Sequence, residues 1–262
     1  MARLVRSVSF ALVAAIVPVL AAVSAGEIPE SERRSDYHLM SPQTRAMQDD
    51  ETANPGTLWV LDGEALWEQK AGSAQRSCAD CHQDARQSMK GVAARYPAFD
   101  AARGRPVDLE QRINICRAEK QKAPELAPES KELVALTTYV ATQSRGMPIA
   151  IATEGMEKFI AAGRELFERR SGQLNLSCSQ CHDDNWGRLL AGNVVPQAHP
   201  VGYPLYRLEW QGVGSLQRRL RNCMIGLRAE PYAYGSPENV ALELYLMYRA
   251  RGLPMETPAV RP

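Results

Sequence analysis

The sequence lacks a second hydrophobic run. Its one long apolar stretch, "VSFALVAAIVPVLAAVSA", occupies 8–25. Nothing after it is apolar and long enough to cross a bilayer, so no membrane span is expected in the mature chain. Arg3 and Arg6 precede the stretch and Val23-Ser24-Ala25 ends it. A basic start, a short apolar centre broken by Ser and Pro, and a small-residue exit make 1–25 a cleaved signal peptide rather than an anchor. Export places the protein in an oxidising compartment. A charge surplus is missing as well. The chain has 31 basic and 30 acidic residues, and the leader takes two of the basic ones, leaving 29 against 30. That balance argues against nucleic acid as a partner. Aromatic residues are few, with four Phe, nine Tyr and four Trp. A buried cofactor could supplement so modest a core. No alternating apolar run is long enough for a sheet, so the expected class is all-α.

What is present is a duplication. "GEALWEQKAGSAQRSCADCH" (63–82) aligns without gaps to "GRELFERRSGQLNLSCSQCH" (163–182). "LEQRINIC" (109–116) aligns to "LQRRLRNC" (216–223), pairing Arg112 with Arg219 and Cys116 with Cys223. "KELVALTTYVATQSRGMP" (131–148) then follows the pattern of "ENVALELYLMYRARGLP" (238–254). Leu133, Leu136 and Val140, and again Val240, Leu244 and Met247, recur at helical spacing and read as core faces. Ser236-Pro237 marks a helix start, and Gly146 and Gly252 follow the terminal helices. The expected organisation is two tandem helical domains with long loops, at 58–150 and 151–262. A polar, turn-rich stretch at 26–57 is expected to be an extended arm.

Cys78-Ala-Asp-Cys81-His82 and Cys178-Ser-Gln-Cys181-His182 are c-type haem attachment signals. Two thiols three residues apart share one turn and reach the two vinyl groups of one porphyrin. The adjacent imidazole then meets the iron. A redox CxxC or a zinc site leaves the repeated histidine unexplained, and zinc needs ligand pairs closer together. Two covalent haems, in two cytochrome c-like domains, are the expectation.

Cys116 and Cys223 remain. A disulfide is the ordinary fate of paired exported thiols, but these two sit at equivalent places in different repeats. Each precedes its domain's last helix, the region from which small cytochromes c draw the distal ligand. Met147 corresponds to Leu253, and Met224 to Arg117, so neither methionine repeats. His199 lies in a loop that the first repeat lacks, and reads as a solvated residue. The repeat therefore favours His/Cys ligation at both irons, with His82 and Cys116 at one and His182 and Cys223 at the other. Arg218, Arg219, Arg221 and Arg228 crowd Cys223, against Arg112 and Arg117 at Cys116. Such arginines hold a sulfur in its anionic form, although a solvated basic helix face gives the same pattern. Arg219 stands apart because Arg112 matches it four residues before the equivalent cysteine, one turn if the segment is helical.

The leader, the two CxxCH repeats, "RRLRNC" and the terminal "RGLP" resemble the SoxA family of periplasmic cytochromes. The resemblance implies an L-cysteine S-thiosulfotransferase that works with SoxX, a monohaem cytochrome c. Thiosulfate is joined oxidatively to a cysteine of the carrier SoxYZ, and electrons leave toward a soluble cytochrome c. It implies that Cys223 is the distal ligand of the active-site haem and the place for a persulfide, and that Arg219 is the active-site arginine. The haem of Cys78, Cys81, His82 and Cys116 is then remote. Two other readings remain at this point: a dihaem electron carrier without chemistry of its own, and a dihaem peroxidase, which needs one open iron.

Overall fold

The computed structural model describes residues 28–262, so the expected signal peptide lies outside the described residues. After helix α1 (Pro42–Asp49), the first repeat comprises α2 (Thr57–Glu68), the CxxCH turn α3 (Ala79–His82) and a short α4 (Ala85–Ser88). The hairpin strands β1 (Ala98–Asp100) and β2 (Arg105–Val107) follow, then α5 (Leu109–Cys116) and α6 (Lys131–Thr142). The second repeat keeps this order. It has α7 (Glu157–Glu168), α8 (Cys178–His182), an added hairpin of β3 (Leu189–Leu190) and β4 (Asn193–Val194), then β5 (Leu205–Arg207) and β6 (Gly212–Gly214). It closes with α9 (Leu216–Gly226) and α10 (Pro237–Arg249), and β7 (Ala259–Arg261) ends the chain.

The helix boundaries follow from local chemistry. Ser130 caps α6 and Ser236 caps α10, with Pro237 at the first helical position. A serine oxygen there satisfies an amide the helix cannot, and proline lacks one to satisfy. Asp108 caps α5 within a full capping box, and Ser215 caps α9.

Two helix crossings organise the repeats. A Cβ on Gly63 of α2 would lie 2.2 Å from the Ala135 carbonyl oxygen of α6, and one on Gly163 of α7 2.0 Å from that of Ala241 in α10. Only glycine allows backbones so close. The repeats do not stand apart, because one apolar cluster holds Trp67 and Tyr139 together with Val201, Leu244 and Met247. The two Arg-Gly-apolar-Pro segments pair with each other. Gly146 donates its amide to the Met255 carbonyl at 2.8 Å, and Ile149 donates to Leu253 at 2.9 Å.

The fold is mainly helical, but the all-α expectation needs correction. β1 and β2 form an antiparallel pair, and β5 lies between antiparallel β6 and parallel β7. Strands of two or three residues are too short to leave an alternating pattern in sequence. The 26–57 stretch is not simply extended either. It carries two 3-10 turns (Glu30–Glu32 and Asp36–Leu39) and α1. It is fastened to the C-terminal strand, where buried Arg261 pairs with Asp36 at 2.7 Å and Glu256 at 2.5 Å and bonds Gln48.

Between the repeats, Gln217 donates to Asp108 at 2.8 Å and to Glu243 at 3.1 Å. Asp108 and Glu243 line a cavity of about 60 Å³ with Tyr96 and Met247. Burial pushes the Glu243 carboxyl up to about 8, and the charge of Asp108 adds to the shift. Burial raises Asp108 and Glu110 as well.

Two outcomes are expected. Gly163→Ala should lower stability by about 2–4 kcal/mol, the scale of overpacking against an unyielding neighbour. Gly226→Ala, where nothing lies within 4 Å of the added carbon, should leave stability equal or slightly raised. Chemical denaturation of both variants decides it, and equal losses would contradict the crossing. Second, Glu243 binds its proton more tightly folded than unfolded. Its contribution is complete below its ordinary value of 4.5 and is lost as pH rises toward about 8. The slope is on the order of 1.4 kcal/mol per pH unit. Glu243→Gln should flatten the pH profile of the denaturation midpoint in that window, and an unchanged profile would contradict the role given to burial.

Candidate haem and sulfur site

The two CxxCH segments are single turns held at their starts. Ser177 caps α8, and Gln180 completes a capping box by accepting the Ser177 amide at 2.9 Å. Ser77 and Asp80 do the same work in the first repeat. The Asp80 amide donates to the Ser77 oxygen at 3.0 Å and the Ser77 amide to the Asp80 carboxylate at 2.8 Å. Each pair of thiols is thereby presented on one short helical face.

The histidines are backed by aromatic rings. Trp67 lies 5.7 Å from His82, and Phe167 lies 6.5 Å from His182, ring centre to ring centre. Tyr139 and Tyr245 stand behind them at 5.9 and 5.5 Å. His182 donates from Nδ1 to the Pro196 carbonyl, 2.7 Å away. That bond fixes the tautomer and leaves Nε2 as a lone-pair donor, the arrangement a metal-bound imidazole needs. Burial holds this ring below the usual histidine range.

All six cysteines are free thiols, so Cys116 and Cys223 are not joined. Cys116 acts by charge on Cys78, and Cys223 on Cys178 and Cys181, so each belongs to the surroundings of its own CxxCH. Burial pushes Cys178 up to about 12, and the neighbouring sulfurs of Cys223 and Cys181 contribute to the rise. Cys181 is raised by burial and by Cys223. In the first repeat burial takes Cys78 to about 11, opposed by Arg117 and reinforced by Cys116 and Cys81. The two CxxCH thiols and the adjacent imidazole of each repeat, with a third thiol that acts on them by charge, are a donor set that fits a covalent haem c. The residues present suit the group at both places.

The structure sorts the arginines. Arg218 stacks on Trp210 at 4.3 Å and reaches toward Glu129 at 3.8 Å. Arg221 lies over Tyr234 at 4.7 Å and bonds the carbonyl of Tyr232. Arg219 is left facing the cysteine. α9 is helical through both residues, so Arg219 and Cys223 stand one turn apart. The thiol of Cys223 and the phenol of Tyr203 raise the Arg219 guanidinium against the opposing effect of burial. Tyr203 itself is pushed up to about 12 by burial, with Arg219 and Arg207 pulling the other way.

His199 is buried at 6% exposure and not solvated as expected. It donates from Nδ1 to the Arg34 carbonyl at 3.0 Å and ties the N-terminal segment down. Met147 lies against Gly91.

Some features were not drawn from sequence. Tyr203 is one; its signal was the Tyr-Pro pair repeated at 96–97 and 203–204. A second is the ion pair of Arg249, 1% exposed, with Asp183 at 2.5 Å, directly after His182. Gln83 and Gln143 stand at the matching places in the first repeat, so the duplication gave no cue. A third is the π-helix Arg117–Gln121 after Cys116, where α9 continues as ordinary helix.

Comparison with known proteins bears on the family and the fold. The SoxA/TsdA cytochrome c domain model matches residues 62–149 and 162–255. The L-cysteine S-thiosulfotransferase subunit SoxA of Pseudaminobacter salicylatoxidans is 39% identical over 248 residues, 94% of this chain and 87% of the relative. The Rhodovulum sulfidophilum protein of the same name is 36% identical over 231 residues, 88% of this chain and 80% of the relative. The crystal structure of SoxXA from P. pantotrophus matches with a TM-score of 0.84 and 32% identity, covering 87% of this chain and 86% of that one. With the cytochrome c domain model matched in both repeats and these relatives covered over most of their length, the chain belongs to the SoxA family.

Proposed function

We propose that this chain is the SoxA subunit of a sulfur-oxidising L-cysteine S-thiosulfotransferase, and that its chemistry occurs in the second repeat. It carries one haem c in each of two domains, at 58–150 and 151–262. Cys78 and Cys81, and Cys178 and Cys181, make the thioether links. His82 with Cys116, and His182 with Cys223, are the residues that would ligate the two irons. The bound haem supplies an electron acceptor beside the reacting sulfur.

SoxX is the heterodimer partner, a reading supported by the match to the SoxXA structure from P. pantotrophus. The substrates are thiosulfate and a cysteine thiol of SoxYZ. One sulfur–sulfur bond forms between that thiol and the sulfane sulfur, giving a protein S-thiosulfonate. One proton and two electrons leave, and a soluble cytochrome c takes the electrons onward. The protein acts in the periplasm after loss of residues 1–25. No helix among the described residues is long and apolar enough to cross a membrane.

The chain's own groups support a division of labour. Arg219 meets the sulfonate oxygens of the dianion through charge-assisted hydrogen bonds, which are strongest where water is thin. Cys223, one turn away, supplies the sulfur that stands beside the sulfane sulfur. The observation that carries the reading is the contrast between the repeats. Arg112, before Cys116, is bound to Asp100 at 2.6 Å. Among the described residues Arg219 has no such carboxylate partner.

Arg219→Ala should keep both haems, measured by haem absorbance and intact mass. It should lose about 100-fold or more in thiosulfate oxidation with SoxX, carrier and an electron acceptor, the scale for removing one oriented charged donor. Unchanged turnover would leave Arg219 without a catalytic role.

A further inference from the structure

The hairpin before each cysteine helix holds one position of opposite charge in the two repeats. Tyr96-Pro97-Ala98-Phe99-Asp100 corresponds to Tyr203-Pro204-Leu205-Tyr206-Arg207. Asp100 ends β1 opposite Arg105, and Arg207 ends β5 opposite Gly212. The two residues occupy one structural place.

In the first repeat that place neutralises the site. Asp100 is buried, takes Arg112 at 2.6 Å and Arg103 at 3.4 Å, and accepts the Arg103 amide at 2.9 Å. The guanidinium one turn before Cys116 is spoken for. In the second repeat the acid is replaced by a base. Arg207 bonds Glu209 at 3.3 Å and stacks on Trp210 at 5.4 Å. Its Nε is buried without a partner. Arg207 stands in the place of Asp100, which in the first repeat reaches Arg112, the counterpart of Arg219, and both Arg207 and Arg219 act by charge on the Tyr203 phenol. The carboxylates that reach Arg219 by charge are Glu209 and Asp36. Each is already bonded to another arginine, Glu209 to Arg207 and Asp36 to Arg261 at 2.7 Å. Buried guanidinium donors are ordinarily satisfied, so an unfilled one beside a second cation calls for an acceptor with several oxygens.

We propose that Arg207 is a second binding guanidinium for the sulfonate of thiosulfate, acting with Arg219, and that Asp100 in the same place keeps the first repeat from binding the anion. This rests on the second repeat being the thiosulfate site. The exchange turns one scaffold into two pockets of opposite electrostatic character.

The test uses the haem-loaded complex with SoxX and the carrier. Arg207→Gln should raise KM for thiosulfate about ten-fold or more while kcat stays within about two-fold. A ten-fold change is about 1.4 kcal/mol, the scale of one lost charge-assisted hydrogen bond. Arg207→Lys should recover part of the loss, because it keeps the charge but not the fork. Calorimetric titration of the oxidised complex with sodium thiosulfate, carrier omitted, should find one site in the wild type and two in Asp100→Asn. If KM and the calorimetric Kd of Arg207→Gln and Arg207→Lys both stay within two-fold of the wild type, Arg207 does not bind the anion. If Asp100→Asn keeps one site, Asp100 is not the block. Absence of thiosulfate turnover in the wild-type complex would instead overturn the underlying functional reading.

Discussion

The spacing of both sites depends on a bare backbone contact, Gly63 against the Ala135 carbonyl and Gly163 against that of Ala241. A side chain at either glycine would hold the helices apart. Contact brings Tyr139 and Tyr245 within reach of Trp67 and Phe167, the rings that back the two histidines. A second close approach fixes the other wall. The Gln121 carbonyl lies where a Cβ on Gly72 would be, and the Leu227 carbonyl where one on Gly172 would be. The loops before each CxxCH turn are thus pinned to the ends of the cysteine helices. Four glycines thus set how closely the helices and loops around the two CxxCH turns approach.

A duplicated frame leaves its function to the positions that broke the symmetry. Behind His182 stands a buried cation, Arg249, paired with Asp183. Among the described residues nothing equivalent stands behind His82. A fully desolvated ion pair costs more than it returns unless its geometry is good, and here the guanidinium also lies over Phe167 at 4.4 Å. At the cysteine helix, Arg207 occupies the place of the acid that closes the Arg112–Asp100 pair in the first repeat.

The helical frame, the repeat and the eight candidate attachment and ligand residues were legible in sequence because each rests on a local pattern. CxxCH is a five-residue rule, and helical periodicity needs only a few turns. The equivalence of Cys116 and Cys223 argued against a disulfide before any distance was known. Other features could not be read, for definite reasons. Strands of two or three residues leave no period. The helical turns of 30–49 form against the C-terminal strand, whose Arg261 is 225 positions from Asp36. His199 read as solvated because its partner, the Arg34 carbonyl, belongs to that same distant segment. Among the arginines near Cys223, sequence set Arg219 apart through its match to Arg112, and packing on Trp210 and Tyr234 separates Arg218 and Arg221 from it further. The Asp100–Arg207 exchange needed strand register, because the sequences around it differ.

The central claim is that a cysteine sulfur stands opposite the histidine in both repeats. Low-temperature EPR of the oxidised, haem-loaded protein reads it most directly. Two low-spin ferric signals of thiolate type are expected, one of them lost when Cys116 is replaced and the other when Cys223 is replaced. A high-spin component, or a methionine-type spectrum in the freshly purified protein, would contradict it.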